Sequence, residues 1–170
     1  LTRAEAAVAI VRAFQFENDK EKENKGDGSN IAFSDISGHW AREEIEIAVQ
    51  YRIVMGKGDG SFSPDEPVTR EEMSVMLDRA FVASRGIALT LSRGNSLYTA
   101  SVNDSGLNSN TSMKTCYIDI SREACEWSYD SIIRVSQLGV FAGLPGGEFN
   151  PKEKISRAEM SALLCRIFDR

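Results

Sequence analysis

Three arginines occupy the same place in a short motif that recurs along the chain. The motif, Ser or Thr followed by Arg, any residue and Glu, covers residues 2–5, 69–72 and 156–159. This spacing predicts a helix capping box, in which the hydroxyl accepts from the third N–H and the glutamate accepts from the N–H of the cap. The N–H groups and dipole of such a helix start favour an anion. The motif therefore predicts carboxylate binding by Arg3, Arg70 and Arg157, since a guanidinium can donate two parallel hydrogen bonds.

The alternative for these arginines is an ion pair with a neighbouring glutamate, which would contribute little at an exposed position. We favour the anion-binding interpretation, most strongly for Arg70. Glu72, in the same motif, is included in the predicted site.

No catalytic or metal site is predicted. The single histidine, His39, has no activated serine or cysteine partner and no second ligand at metal-binding spacing. The acids between residues 59 and 66 lack the alternation of a calcium-binding loop, and the other acids fall on helix faces and in caps rather than as a pair across a cleft. Three cysteines leave three single pairings open, between Cys116, Cys125 and Cys165.

The arginine motif ends a longer repeat. Residues 68–81 match residues 155–168 at an offset of 87, and residues 1–14 match residues 68–81 at an offset of 67. Trp40 precedes Thr69 by 29 positions, and Trp127 precedes Ser156 by the same 29. The second and third copies thus share one frame, whereas the first copy has only its closing half.

Each repeat is predicted to be a helix, a turn-rich loop and a second helix. Ile45, Ala48, Val49 and Ile53 have the spacing of one buried helical face, and this helix is expected to end near Gly56. The loop over residues 56–67 is rich in turn-forming residues, with a phenylalanine (62) as its buried plug. The capped second helix follows.

The repeats divide the sequence into five segments. They are the closing half of a first repeat (1–16), a charged linker (17–32), a second repeat (33–82), a polar insertion (83–115) and a third repeat (116–170). Alternating apolar residues at 87, 89 and 91 indicate a small β-hairpin within the insertion.

Composition narrows the choice of partner. The chain has 170 residues, a net charge of −5 and 20 dispersed Lys and Arg residues, so no basic stripe is available for a nucleic-acid backbone. No apolar run approaches the roughly 18 residues needed to span a bilayer. We expect neither nucleic-acid binding nor membrane insertion.

The motifs at residues 38–41, 58–64 and 69–72, in one frame, resemble the S-layer homology repeat of bacterial surface proteins. The resemblance implies a mostly α, pseudo-threefold arrangement around a helical bundle. It also implies grooves between repeats that bind an anionic, pyruvylated secondary cell-wall polysaccharide, and hence non-catalytic anchoring at the cell wall or S-layer of a bacterium without a cofactor.

The resemblance also assigns residues to the grooves. Gly56 and Gly143 would lie near them, although a turn role is the alternative. Trp40 and Trp127 could cover a sugar face, but we favour packing because large aromatics mostly serve cores.

The first repeat lacks its leading helix, so we expect upstream residues to have been removed or another chain to supply it, which would allow self-association. The third repeat departs in residues 121–127 and 145–147, where its groove is expected to differ. The alternative function is a protein-interaction or assembly scaffold with this fold that has lost glycan binding.

Overall fold

All regular secondary structure described for this chain is helical. The computed structural model describes residues 1–18, 33–84 and 117–168. The predicted mostly α class is confirmed, whereas the hairpin expected around residues 87–91 lies outside the described residues, as do residues 19–32 of the linker. The helices are α1 (Arg3–Ala13), α2 (Arg42–Gln50), α3 (Arg70–Ser84), α4 (Tyr129–Gln137) and α5 (Arg157–Phe168).

The three predicted capping boxes are confirmed. At α1, Thr2 Oγ1 accepts from the Glu5 N–H while Glu5 accepts from the Thr2 N–H at 2.9 Å. The same reciprocal pair starts α3, with Thr69 and Glu72. Ser156 and Glu159 repeat it at α5. Each box satisfies N–H groups that a helix start leaves without an intrahelical partner.

The starts of α1, α3 and α5 meet in a closed cycle of backbone hydrogen bonds. Leu1 N donates to Ile155 O at 3.1 Å, Ile155 N donates to Val68 O at 2.9 Å, and Val68 N donates to Leu1 O at 3.0 Å. These three residues hold the same position in the three copies of the repeat. Such a cycle is what three equivalent units around one axis produce.

The far ends of the same helices meet through equivalent phenylalanines. The ring of Phe14 contacts Phe81 edge-on at 5.5 Å and Phe168 edge-on at 5.3 Å between centroids. Edge-to-face geometry is favourable for aromatic pairs. The helices α1, α3 and α5 are therefore joined at both ends and form the central bundle.

The remaining helices pack on the outside of this bundle, α2 against α1 and α4 against α3. The predicted buried face of Ile45, Ala48, Val49 and Ile53 is confirmed. The predicted end near residue 56 is wrong, because α2 ends at Gln50. Arg52 adopts a left-handed conformation, with φ of 56°, which stops the helix.

The loop after each outer helix is closed by a buried phenylalanine. Phe62 and its equivalent Phe149 are fully buried, which confirms the predicted plug. No helix among the described residues has the length and apolarity required to cross a membrane.

Candidate functional site

Arg3 turns inward rather than toward solvent. Its Nε donates to Phe62 O at 2.9 Å and its Nη2 donates to Met55 O at 2.9 Å, while the guanidinium lies 4.7 Å from the centroid of the Phe62 ring. Glu72 is its nearest acid, at 3.6 Å from Nη1. The side chain joins the start of α1 to both ends of the loop in the second repeat.

Arg70 makes the equivalent contacts one repeat further on. Its Nε donates to Phe149 O at 2.6 Å, its Nη2 to Ala142 O at 3.3 Å, and its Nη1 to Glu159 at 2.8 Å. The guanidinium also lies over the Phe149 ring, at 4.9 Å. All three guanidinium nitrogens of this buried side chain are therefore engaged within the protein.

Arg157 differs from the other two arginines because it is exposed. Its side chain is 78% accessible and forms an ion pair with Glu5. The hydrogen bond from Arg157, together with that from the Thr2 N–H, lowers the pKa of Glu5 below its usual value. Each arginine thus approaches the capping glutamate of the next copy, Arg3 with Glu72, Arg70 with Glu159 and Arg157 with Glu5, but only Arg157 remains on the surface.

The first N–H groups of α1 and α3 are not available to an anion. Arg3 N donates to Glu66 O at 2.9 Å and Ala4 N to Pro64 O at 2.9 Å. At α3, the N–H groups of Arg70 and residue 71 donate in the same way to carbonyls of residues 153 and 151. An anion at either helix start would need these N–H groups, as the sequence analysis expected, but a loop of the following repeat already accepts their hydrogen bonds.

The two tryptophans lie on the surface at equivalent positions, immediately before α2 and α4. Trp40 is 64% exposed and Trp127 is 56% exposed. The packing role favoured from the sequence is therefore wrong for both. The indole of Trp40 lies beside the His39 ring, 5.5 Å between centroids, and His39 Nε2 lies 3.7 Å from Asp65.

His39 has a local structural role. Its Nδ1 accepts from the Ala41 N–H at 3.2 Å, at the start of α2. Since no side chain caps this helix through its own N-cap residue, Ala41, the imidazole supplies an acceptor that would otherwise be missing.

Charges near the two tryptophans differ between the repeats. In the loop over residues 56–67, Lys57 pairs with Glu66 and thereby lowers the pKa of that carboxyl group. In the third repeat Lys152 holds the position of Asp65, and its Nζ donates to the buried Glu71 at 2.5 Å. The hydrogen bond to Glu71 raises the pKa of Lys152. The Trp127 surface therefore presents a lysine where the Trp40 surface presents an aspartate.

Gly56 and Gly143 are required by close packing. A Cβ at position 143 would lie 2.9 Å from Cδ1 of Tyr117 and 3.0 Å from the carbonyl oxygen of Glu148, and real Cβ atoms hardly ever approach so closely. At position 56 it would lie 2.7 Å from Ser61 O and would also meet a ring, that of residue 33. These contacts explain both glycines without a ligand, and a role in ligand binding stays a prediction.

Two aspartates that fix the loops beside the candidate site were not predicted from the sequence. Asp35 accepts from the N–H groups of Phe62 and Ser63, and Asp119 accepts from those of Phe149 and Asn150, at 2.6 to 3.1 Å. Burial opposes ionisation of Asp35, but these hydrogen bonds hold its pKa below the usual value. Each aspartate fixes the loop that the buried arginine also grips.

Every cysteine pairing left open by the sequence includes Cys125 or Cys165. Cys125 is buried, Cys165 is exposed, and both are free thiols. Cys116 lies outside the described residues.

Comparison with known proteins identifies the repeats. The model of the S-layer homology domain matches residues 32–74 and 118–161, just over half of the chain. Cell surface glycoprotein 1 of Acetivibrio thermocellus is 28% identical over 176 residues, which cover the whole chain but 6% of that protein. The Cellulosome-anchoring protein of the same organism is 28% identical over 171 residues, covering the whole chain and 32% of the relative. The Surface-layer 125 kDa protein of Lysinibacillus sphaericus is 35% identical over 82 residues, 46% of the chain and 6% of the relative.

The chain belongs to the S-layer homology domain family, as the sequence motifs indicated. It spans a third or less of each of these three relatives. Family and relatives together confirm the predicted localisation at the bacterial cell surface, in the wall or S-layer.

Proposed function

We propose that this S-layer homology domain anchors a surface protein to the bacterial cell wall by binding an anionic, pyruvylated secondary cell-wall polysaccharide. The domain itself contributes binding and no catalysis. Support comes from family membership and from the anchoring protein among its relatives.

The observation that carries the proposal is the pair of exposed indoles. Trp40 and Trp127 stand at equivalent positions in two repeats, and each leaves more than half of its side chain in water while the phenylalanine plug of its own repeat is fully buried. Tryptophan is enriched at interfaces, so its exposure at the same position of two repeats supports a binding surface there. An indole can cover the apolar face of a sugar ring, as aromatic side chains at interfaces combine a flat apolar body with a polar edge.

The charged groups divide into two classes under this proposal. Arg157 and Lys152 have exposed side chains, each paired with a glutamate, and these two cations are the ones we propose to meet the carboxylate of a pyruvyl group. Arg3 and Arg70 are buried, and a ligand would have to displace protein carbonyls to reach them. We assign to Arg3, Arg70, Glu72, Gly56 and Gly143 the shaping of the loops beside the tryptophans, and to Arg157, Trp40 and Trp127 the direct contacts.

The test is co-sedimentation with purified cell-wall sacculi. We expect Trp40→Ala and Trp127→Ala each to weaken binding by roughly tenfold, or about 1.4 kcal/mol. Both should fold normally because the indoles are exposed. Val82→Ala, which shortens another exposed apolar side chain far along α3, is the matched control and should bind like the parent.

A second arm isolates the acid on the glycan. Sacculi treated with mild acid to remove pyruvate ketals should bind less of the parent protein. Equal binding to treated and untreated sacculi would remove pyruvate from the proposal while leaving wall binding intact.

The saturated contacts of Arg3 and Arg70 favour a second candidate, an assembly scaffold of the same fold without glycan binding. The same sedimentation assay separates the two candidates. A parent protein that stays in solution with every sacculus preparation would leave the scaffold as the better explanation.

A further inference from the structure

The exposed Trp40 is held by a hydrogen bond that closes around its own backbone. The Ala41 N–H donates to His39 Nδ1 at 3.2 Å, so the two bonded groups lie on either side of the tryptophan in the chain. A bond from the N–H of one residue to the side chain two residues before it is the connection found in an Asx turn. The imidazole also contacts the indole, at 5.5 Å between ring centroids. His39 therefore fixes both the backbone and the ring of Trp40.

The third repeat closes the equivalent turn without a side chain. Ser128 is the equivalent of Ala41, and its N–H donates to the backbone oxygen of Cys125 at 3.0 Å. Glu126 stands where the second repeat has its histidine. In the part of the chain that the structure describes, no backbone carbonyl accepts from the Ala41 N–H. Of the two tryptophan turns, the one in the second repeat is therefore the one that depends on an imidazole.

His39 can accept this hydrogen bond only while its ring is neutral. Nδ1 must keep its lone pair, so the hydrogen of the neutral ring lies on Nε2, which is 3.7 Å from Asp65. Protonation places a second hydrogen on Nδ1, and two donors then face each other. Since Ala41 is fully buried, its N–H would be left without an acceptor, which is costly.

The charges around the imidazole do not compensate for this loss. The ring is 13% exposed and its closest acid, Asp65, favours the protonated form. Asp65 is 88% exposed, however, so water screens the attraction. The other charged groups of that loop, Lys57 and Glu66, pair with each other, and at the start of α2 Arg42 pairs with Glu46. Protonation therefore adds a screened ion pair and removes the bond that closes the turn.

We propose that His39 is a pH-dependent positioning residue, which holds Trp40 in its binding orientation while the imidazole is neutral and lets the turn open when it is protonated. Acidification across the range in which histidine titrates weakens the Trp40 surface and leaves the Trp127 surface as it is. The opening of the turn concerns the protein alone, whereas its effect on a ligand rests on the proposed function.

Amide hydrogen exchange followed by NMR tests the turn itself. Protection factors, corrected for the intrinsic exchange rate, are compared at about pH 7.5 and about pH 5, on either side of the range in which histidine titrates. We expect the protection of the Ala41 amide to fall by about tenfold or more on acidification, while that of the Ser128 amide stays constant. His39→Asn is the matched variant, because its side-chain oxygen can accept the same bond and does not titrate. Its Ala41 protection should be equal at both pH values.

Co-sedimentation with sacculi at the same two pH values tests the effect on binding. The binding that Trp127→Ala retains should fall by about tenfold on acidification, or about 1.4 kcal/mol. Adding His39→Asn to this variant should remove the pH dependence. Trp40→Ala, which retains the Trp127 surface, corrects for any titration of the wall itself.

The outcomes separate this proposal from the proposed function. Equal Ala41 protection at both pH values in the parent would overturn the role of His39, as would the same fall in His39→Asn. A fall in Ala41 protection without pH-dependent binding by Trp127→Ala would overturn the link between the turn and the ligand. A parent protein that binds no sacculi at either pH, but loses Ala41 protection in acid, would refute the proposed function together with the effect on binding and support the pH-dependent turn.

Discussion

Replacing Arg70 by methionine separates a structural arginine from a ligand-binding one. The substitution keeps most of the side-chain length but removes the donors to Phe149 O and Ala142 O. Each buried carbonyl left without its donor costs about 1 to 3 kcal/mol, and we take the lower part of this range because the bond to Ala142 O is long, at 3.3 Å. Glu159 is 42% exposed, so water screens its loss of a partner, which adds at most about 1 kcal/mol. The expected loss of stability is about 3 kcal/mol.

Urea unfolding followed by circular dichroism measures this loss. With a slope of about 2 to 3 kcal/mol per molar, the Arg70→Met midpoint should fall by about 1 to 1.5 M. Arg157→Met is the matched control, because the same motif position is exposed there and its loss should leave the midpoint unchanged.

Two outcomes would refute this reasoning. Equal midpoints for the two variants would mean that the buried contacts of Arg70 do not stabilise the fold. An Arg70→Met variant that keeps the parent midpoint but no longer sediments with sacculi would show that this arginine binds the ligand directly.

Three further perturbations have defined outcomes. Gly143→Ala should destabilise the protein by about 1 to 3 kcal/mol because the added Cβ would meet the Tyr117 ring. Gly146→Ala is the control and should have no such effect, because no atom lies within 4 Å of its added Cβ. Equal urea midpoints for the two variants would contradict the packing argument. Ser63→Asn should stabilise the protein by about 0.5 to 1 kcal/mol, because Ser63 has a φ of 58° and asparagine tolerates this conformation better. Thermal melts measure the effect, and a lower melting temperature would contradict the prediction. Burial opposes ionisation of Glu159, but hydrogen bonds from Ser156 and Arg70 lower its pKa. The ionised Glu159 should therefore stabilise the fold above the ordinary glutamate pKa of about 4.3, and this contribution should be lost as the pH falls below that value. Glu159→Gln should reduce the loss of unfolding free energy at acid pH, as measured by unfolding at several pH values.

Features encoded over a few residues were predictable. The capping boxes follow from a hydroxyl and a glutamate three positions apart, and all three formed as expected. The buried plugs Phe62 and Phe149 follow from one large apolar residue within a polar, turn-rich loop. In both cases the partners are neighbours in sequence, so the local pattern was sufficient.

The surroundings of the arginines and tryptophans were not predictable in this way. Arg3 contacts carbonyls more than fifty positions away, and the N–H groups beside it are occupied by a loop of another repeat. The motif indicates which groups a guanidinium can bind, but it does not predict that backbone carbonyls of another repeat bind it. Residue type likewise favoured burial of Trp40, yet this residue is 64% exposed and no element in the described part of the chain covers it.

The two loop-fixing aspartates were not predicted because the offset of 87 that relates the second and third repeats holds only from Trp40 onward. Upstream of that point the offset between the second and third repeats changes from 87 to 84, so Asp35 corresponds to Asp119 across three extra residues. Aligning Phe33 through Ile36 with Tyr117 through Ile120 would have found them.

The hydrogen-bond cycle through Leu1, Val68 and Ile155 limits how such a protein can grow. In a solenoid each added unit stacks on the last, so the array can lengthen by duplication. Here the third unit already donates to the second, the second to the first and the first to the third. A fourth unit would have no place in this ring without opening it, so we expect duplication in this architecture to yield additional separate rings rather than a longer one.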